Sequence, residues 1–152
     1  MANDNIVDQL EDWLKDAHKL VPDESEQEKI TAAGAKKLAD NLAEATRKKH
    51  YSSHKDEKYG HMADNISYNS NDIDGEHDGS SIVGWTNKYH DMNARRLNDG
   101  TKYIKADHFV DDNLADSQDD VFNAMLDEYK KGDDDSCYYQ YHRWQAWLTP
   151  SI

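Results

Sequence analysis

Between Asp111 and Gly132 the apolar side chains recur with the period of an α-helix, and this run constrains the fold more than any other. Leu114, Gln118, Val121, Phe122, Met125 and Tyr129 hold close to 3.6-residue spacing, which places them along one stripe. Asp111 or Asp112 stands where a cap belongs, and Lys130-Lys131-Gly132 supplies a basic last turn and a terminating glycine. An amphipathic helix of this kind is one wall of a core, so the rest of the chain must supply the other walls.

Two helices are predicted near the N-terminus. Ile6, Leu10, Trp13, Leu14, Ala17 and Leu20 share one helical stripe, with Asn3 as a cap and Pro22 ending the run. Ser25-Glu26-Gln27-Glu28 then reads as a capping box, in which Ser25 accepts from the amide three residues on and Glu28 reaches back. Ile30, Ala33, Leu38, Leu42 and Ala45 make the second stripe, and Arg47-Lys48-Lys49 suits the negative end of the helix dipole. Gly34 weakens this helix slightly, but Gly and Ala also let another helix come close.

Residues 50–60 follow neither period and read as a loop. Short strands are predicted at residues 65–69, with Ile66 and Tyr68 on one face, and at 81–86, with Val83 and Trp85 together and Ile82 opposite. Residues 71–80 between them carry two Asp-Gly pairs, suited to the positive-φ positions of a hairpin tip. A short helix over 88–98 would gather Tyr89, Met92 and Leu97, with Gly100 just past its end, and 101–110 would be extended. After Gly132 a polar break leads into Tyr138, Tyr139, Tyr141, Trp144 and Trp147. The expected fold class is therefore α+β: an N-terminal helix pair, a small antiparallel sheet with a long polar tip, a long C-terminal helix and an aromatic C-terminal arm. The expected division is a domain over 1–132 and an arm over 133–152.

Composition narrows the function classes. A formal net charge of −13 argues against gripping an exposed DNA backbone, which takes clustered Lys and Arg. The charge is also uneven. Residues 4–28 hold nine acids against two lysines, 29–58 hold eight bases against four acids, and 111–135 hold ten acids against two lysines. Such a layout suits contact between copies, basic face to acidic face, and equally suits solvated helix faces. The lone cysteine, Cys137, leaves no intramolecular disulfide, and no apolar run reaches the ~20 residues of a membrane span. The N-terminus lacks a signal peptide's pattern, so synthesis in the cytoplasm and no membrane partner are expected.

Motifs for chemistry are weak. His50, His54 and His61 share a loop with Asp56 and Glu57, but no second ligand pair at zinc spacing follows. Asp74, Glu76 and Asp78 imitate the start of a calcium loop, yet Trp85 stands where the bidentate Glu belongs. Cys137 lies between acids and aromatics, which disfavour a thiolate, and no G-x-S-x-G, P-loop or G-x-G-x-x-G occurs. No catalytic residue, metal or cofactor is expected. The arm is the stronger feature: Tyr138, Tyr141, Arg143, Trp144 and Trp147 are residue types enriched at interface hot spots, so an oligomer or partner interface is expected there. The alternative is that the arm closes the domain's own core.

Residues 47–63 and 81–111 carry a resemblance. The YGH-x-A-D-x-I run (Tyr59, Gly60, His61, Ala63, Asp64, Ile66), the V-G strand, and the A-R-x-L-N-D-G-T-K segment leading to H-F-V-D resemble the tail-component family of phage head–tail joining proteins, typified by the tenth gene product of phage HK-ninety-seven. In the second segment the matching positions are Ala94, Arg95, Leu97, Asn98, Gly100, Thr101, His108, Phe109 and Asp111. The resemblance extends over roughly residues 6–131 and leaves out the arm. It implies a virion structural protein at the neck or proximal tail, active in tail completion or head–tail joining. It further implies a homo-oligomeric ring, sixfold where tail symmetry applies, meeting other neck and tail-tube or tail-terminator proteins, with DNA only as passing cargo and no enzymatic activity. By their residue types these positions read as fold and assembly residues, with Asn98-Asp99-Gly100-Thr101 a turn and His108-Phe109 an apolar staple. Two rivals come from other classes: a monomeric acidic inhibitor or DNA mimic binding a basic protein, and a metal-dependent hydrolase using His50, His54 and His61.

Overall fold

The computed structural model describes residues 4–19, 21–53 and 57–133. Over these the chain is α+β, with five helices and one two-stranded antiparallel sheet. Helices α1 (Asp4–Lys19) and α2 (Glu24–His50) are followed by a single 3-10 turn (Met62–Asp64) and strands β1 (Ile66–Asn69) and β2 (Ile82–Trp85). Then come α3 (Lys88–Asp99), α4 (Phe109–Asp116) and α5 (Gln118–Asp133).

Helix α2 is the spine, packing against β1, β2, the 3-10 turn, α4 and, most extensively, α5. Its capping box sits two residues earlier than the sequence suggests. Asp23 Oδ1 accepts from the Glu26 amide (2.8 Å) and Glu26 Oε2 accepts from the Asp23 amide (3.1 Å), so Asp23 and not Ser25 is the cap. The residues 23–28 contain both an Asp-x-x-Glu and a Ser-x-x-Glu, and the earlier one wins because the helix can begin directly after Pro22. The buried face differs from the predicted stripe: it consists of Gly34, Ala35, Ala39, Leu42 and Thr46, sharing only Leu42 with it, while Ile30, Ala33, Leu38 and Ala45 are half-buried. Close approach is the reason. A Cβ on Gly34 would sit 2.7 Å from Met125 Cγ of α5, so this glycine sets how near the two helices lie. The expectation that Gly and Ala admit a neighbouring helix holds here.

The sheet has the expected faces. Ile66 pairs with Trp85 and Tyr68 with Val83, which brings these four side chains to one side. The tip is organised by Asp72, whose Oδ1 accepts from the amides of Asp74 (2.8 Å) and Glu76 (3.0 Å). Gly75 and Gly79 both have positive φ, and Thr31 Oγ1 of α2 donates to the Gly79 carbonyl at 2.8 Å.

Five expectations are corrected. The predicted single C-terminal helix is broken at Ser117, which joins α4 to α5 and is buried; Asn41 of α2 donates to its hydroxyl at 3.1 Å. Helix α4 is not capped by Asp111 or Asp112, which lie in its first turn; the cap position is His108, in left-handed conformation at φ 53°. His108-Phe109 is no staple, because Phe109 is already the first helical residue and points into the core. Finally, α3 buries His90, Ala94 and Asn98 in place of Tyr89 and Met92, and residues 101–110 form no strand: 101–104 make a turn closed by the Thr101 amide on the Ile104 carbonyl (2.8 Å), and 109–110 already belong to α4.

The core is centred on Phe109, only 1% exposed, with Leu42, Met62 and Ala94. Ile66, Val83, Trp85, Leu97 and Val110 pack around it. Outside this core, α1 keeps its predicted stripe but presents it to solvent: Ile6, Leu10 and Trp13 are 65%, 58% and 64% exposed. No described helix is long and apolar enough to cross a membrane.

Candidate functional site

The two motif segments meet at the core around Phe109, to which they contribute Ile66, Ala94 and Leu97. In the first, Asn65 Nδ2 donates to the carbonyls of Tyr59 (3.1 Å) and His61 (2.7 Å), closing the loop that Gly60 turns with φ +70°. His61 stacks on Tyr51 at 4.1 Å between ring centres. The amides of Ser52 and Ala63 point at its Nε2 (3.1 Å) and Nδ1 (3.3 Å); a neutral imidazole accepts at one nitrogen, so each tautomer satisfies one of them. Asp64 holds Arg47 at 2.7 Å, and this hydrogen bond raises the arginine further above its already high pKa. Half-buried Ile66 packs on the core.

The second segment is a joint between α3 and α4, organised by Asn98. Its Oδ1 accepts from the amides of Val110 (3.0 Å) and Asp111 (3.3 Å), and its Nδ2 donates to Asp111 (2.9 Å) and Asp99 (2.8 Å). Asp107 Oδ1 takes the Phe109 amide at 3.0 Å. The amides of Val110 and Asp111 at the start of α4 are thus capped by a side chain from another helix, while Asp107 caps that of Phe109 locally. Thr101 Oγ1 accepts from Tyr103 and Ile104, Leu97 packs on the core, and Arg95 and His108 are exposed. Asn98→Ala should cost about 1–3 kcal/mol, because two part-buried amides lose their acceptor; chemical denaturation measures it, and a loss below about 0.5 kcal/mol would remove Asn98 as the organiser.

Three histidines, His50, His61 and His90, open onto one groove of about 450 Å³ that Arg96 also lines. His61 and His90 are hydrogen-bonded within the fold, and His50 Nε2 is not. His90 Nε2 faces the Tyr59 carbonyl at 3.1 Å, and His50 Nε2 lies 3.0 Å from Asp107 Oδ2, close but not aligned for a hydrogen bond. Of the histidines considered as metal ligands, His50 and His61 share this groove, and His54 lies outside the described residues. Among the described residues no group of three or more His, Cys, Asp or Glu is placed to hold a metal.

The basic stretch of α2 meets acids of its own chain. Lys37 lies 3.4 Å from Asp120 and Lys49 lies 3.5 Å from Asp112. The Asn41 amide on Asp120, followed by Lys37, holds that carboxyl below the usual carboxylate range. Part of the charge complementarity expected between copies is therefore satisfied within one chain. The expected interface residues Tyr138, Tyr141, Arg143, Trp144 and Trp147 lie outside the described residues. Sequence reasoning did not single out Phe122 and Leu126 as exposed. They stand four apart on α5, 66% and 47% exposed, while Val121 and Met125 of the same helix lie against Gly34 of α2.

No family model, curated protein or solved structure matches the chain.

Proposed function

We propose that this chain is a structural component of the neck or proximal tail of a long-tailed phage, acting in tail completion or head–tail joining. In this reading it is one subunit of a homo-oligomeric ring through which DNA passes, and it meets other neck and tail-tube or tail-terminator proteins in the virion. The observation that carries the assembly reading is the exposed Phe122–Leu126 pair, an apolar patch on a helix whose other side is already packed. The motif positions support the neck assignment. The carbonyls of Tyr59 and His61 are held by Asn65, and Asn98 accepts from the Val110 amide, as suits a rigid building block. A net charge of −13 suits a conduit that DNA must traverse without sticking.

The test is the protein content of purified particles from the source that encodes the chain. The chain should be present at a fixed, multiple copy number per particle. Phe122→Asp should lower its incorporation at least ~10-fold, equivalent to about 1.4 kcal/mol, with unchanged thermal unfolding of the free protein. Particles lacking the chain would refute the virion role, and full incorporation of the variant would refute this patch as the contact.

A further inference from the structure

The apolar face of α1 has no partner among the described residues. Ile6, Val7, Leu10, Trp13 and Leu14 are all exposed along it, and no described element packs substantially against this helix. A 16-residue helix standing alone is marginal in water, so a face of this size calls for a cover. Where the chain leaves the described structure bears on what that cover is. Val21, Pro22 and Ile30, at the junction of α1 with α2, line a groove of about 580 Å³ together with Tyr129 and Gly132, at the end of α5. The described chain therefore ends beside the foot of α1.

Length and charge fit the same occupant. The aromatic positions 138–148 would rise about 15 Å as a helix, against about 12 Å for the α1 stripe over residues 6–14. Asp8, Glu11, Asp12 and Asp16 flank that stripe, whereas residues 136–152 contain no Asp or Glu and carry Arg143. The other exposed apolar patch, Phe122 and Leu126, is bordered by Asp119 and Asp127, whose like charge opposes docking on α1. We infer that the aromatic segment 138–148 docks on the apolar face of α1 in its own chain, with Trp144 and Trp147 among the anchoring side chains. The inference does not depend on the phage reading: it concerns how one copy completes its fold.

The full chain tests it through its single native cysteine. With Lys15→Cys added at the lower end of α1, a short bismaleimide should link positions 15 and 137 within one chain. The product should run at monomer mass and form at least tenfold faster than in urea-unfolded protein. A product at dimer mass alone, or no gain over the unfolded chain, overturns the proposal. Hydrogen exchange on the full chain gives a second readout that needs no new cysteine. Trp144→Ser with Trp147→Ser should speed exchange across residues 6–16 at least tenfold while leaving amides around Phe109 unchanged. Equal α1 exchange in both proteins overturns it as well.

Discussion

Phe109→Ala is expected to destabilise the domain by about 3–5 kcal/mol, the usual range for emptying a phenylalanine from a core. The reason is where the ring sits. It touches surfaces contributed by α2, the 3-10 turn, β2 and α3 at once, through Leu42, Met62, Trp85 and Ala94. Its edge contacts include His50, at 4.6 Å between ring centres, and Trp85, at 6.4 Å. None of these neighbours can easily collapse into the void, since Ala94 is small and the Trp85 indole donates to the Met62 carbonyl at 3.1 Å. Domains of this size commonly have only ~5–15 kcal/mol of stability, so the loss would be a large share. Urea unfolding followed by circular dichroism should show a lower midpoint with an unchanged slope. A loss below about 1 kcal/mol would mean that the core is centred elsewhere.

What the sequence shows of this fold follows from what apolar periodicity records. It reports the amphipathic runs of α1 and α2 and the alternating residues of β1 and β2, because in each the pattern and the backbone agree. It is blind to buried polar residues. On α3, Tyr89 and Met92 draw the eye, yet His90 and Asn98 lie inside because each has a hydrogen-bond partner there. It is equally blind to a break without a breaker. Residues 109–133 contain neither glycine nor proline near Ser117, yet α4 ends there, with Phe109 of α4 in the core and α5 lying along α2. A stripe also cannot reveal which of its members will be covered. Leu114 and Phe122 continue the pattern of Val121 and Met125 but end up in solvent. Of the motif positions, Ile66, Ala94, Leu97 and Phe109 lie in or against the core and Arg95 and His108 are exposed, while the role of Asn98, capping a helix from outside it, is a relation between segments.

Gly100→Ala tests the same joint from the backbone side, and about 2–5 kcal/mol of destabilisation is expected. Gly100 follows α3 with φ 78° and ψ 175°, a region nearly reserved for glycine, and another residue there carries ~1–3 kcal/mol of strain. Steric conflict adds to this. A Cβ would lie 2.7 Å from the Ala106 amide nitrogen and 3.0 Å from the Ile104 carbonyl oxygen, both backbone atoms. The opposing segment is poorly able to retreat. The Asp107 amide donates to the Leu97 carbonyl (3.0 Å), the His108 amide donates to that of Asn98 (3.2 Å), and the Thr101 amide closes on Ile104. Overpacking of this kind typically costs a further ~1–3 kcal/mol. Gly132→Ala provides the contrast, because nothing lies within 4 Å of its Cβ and alanine favours the helix by up to about 1 kcal/mol. Thermal unfolding of the two variants should therefore move in opposite directions. If Gly100→Ala were neutral, the turn after α3 would have to adopt another backbone path, and Asn98 could not reach the start of α4 as described.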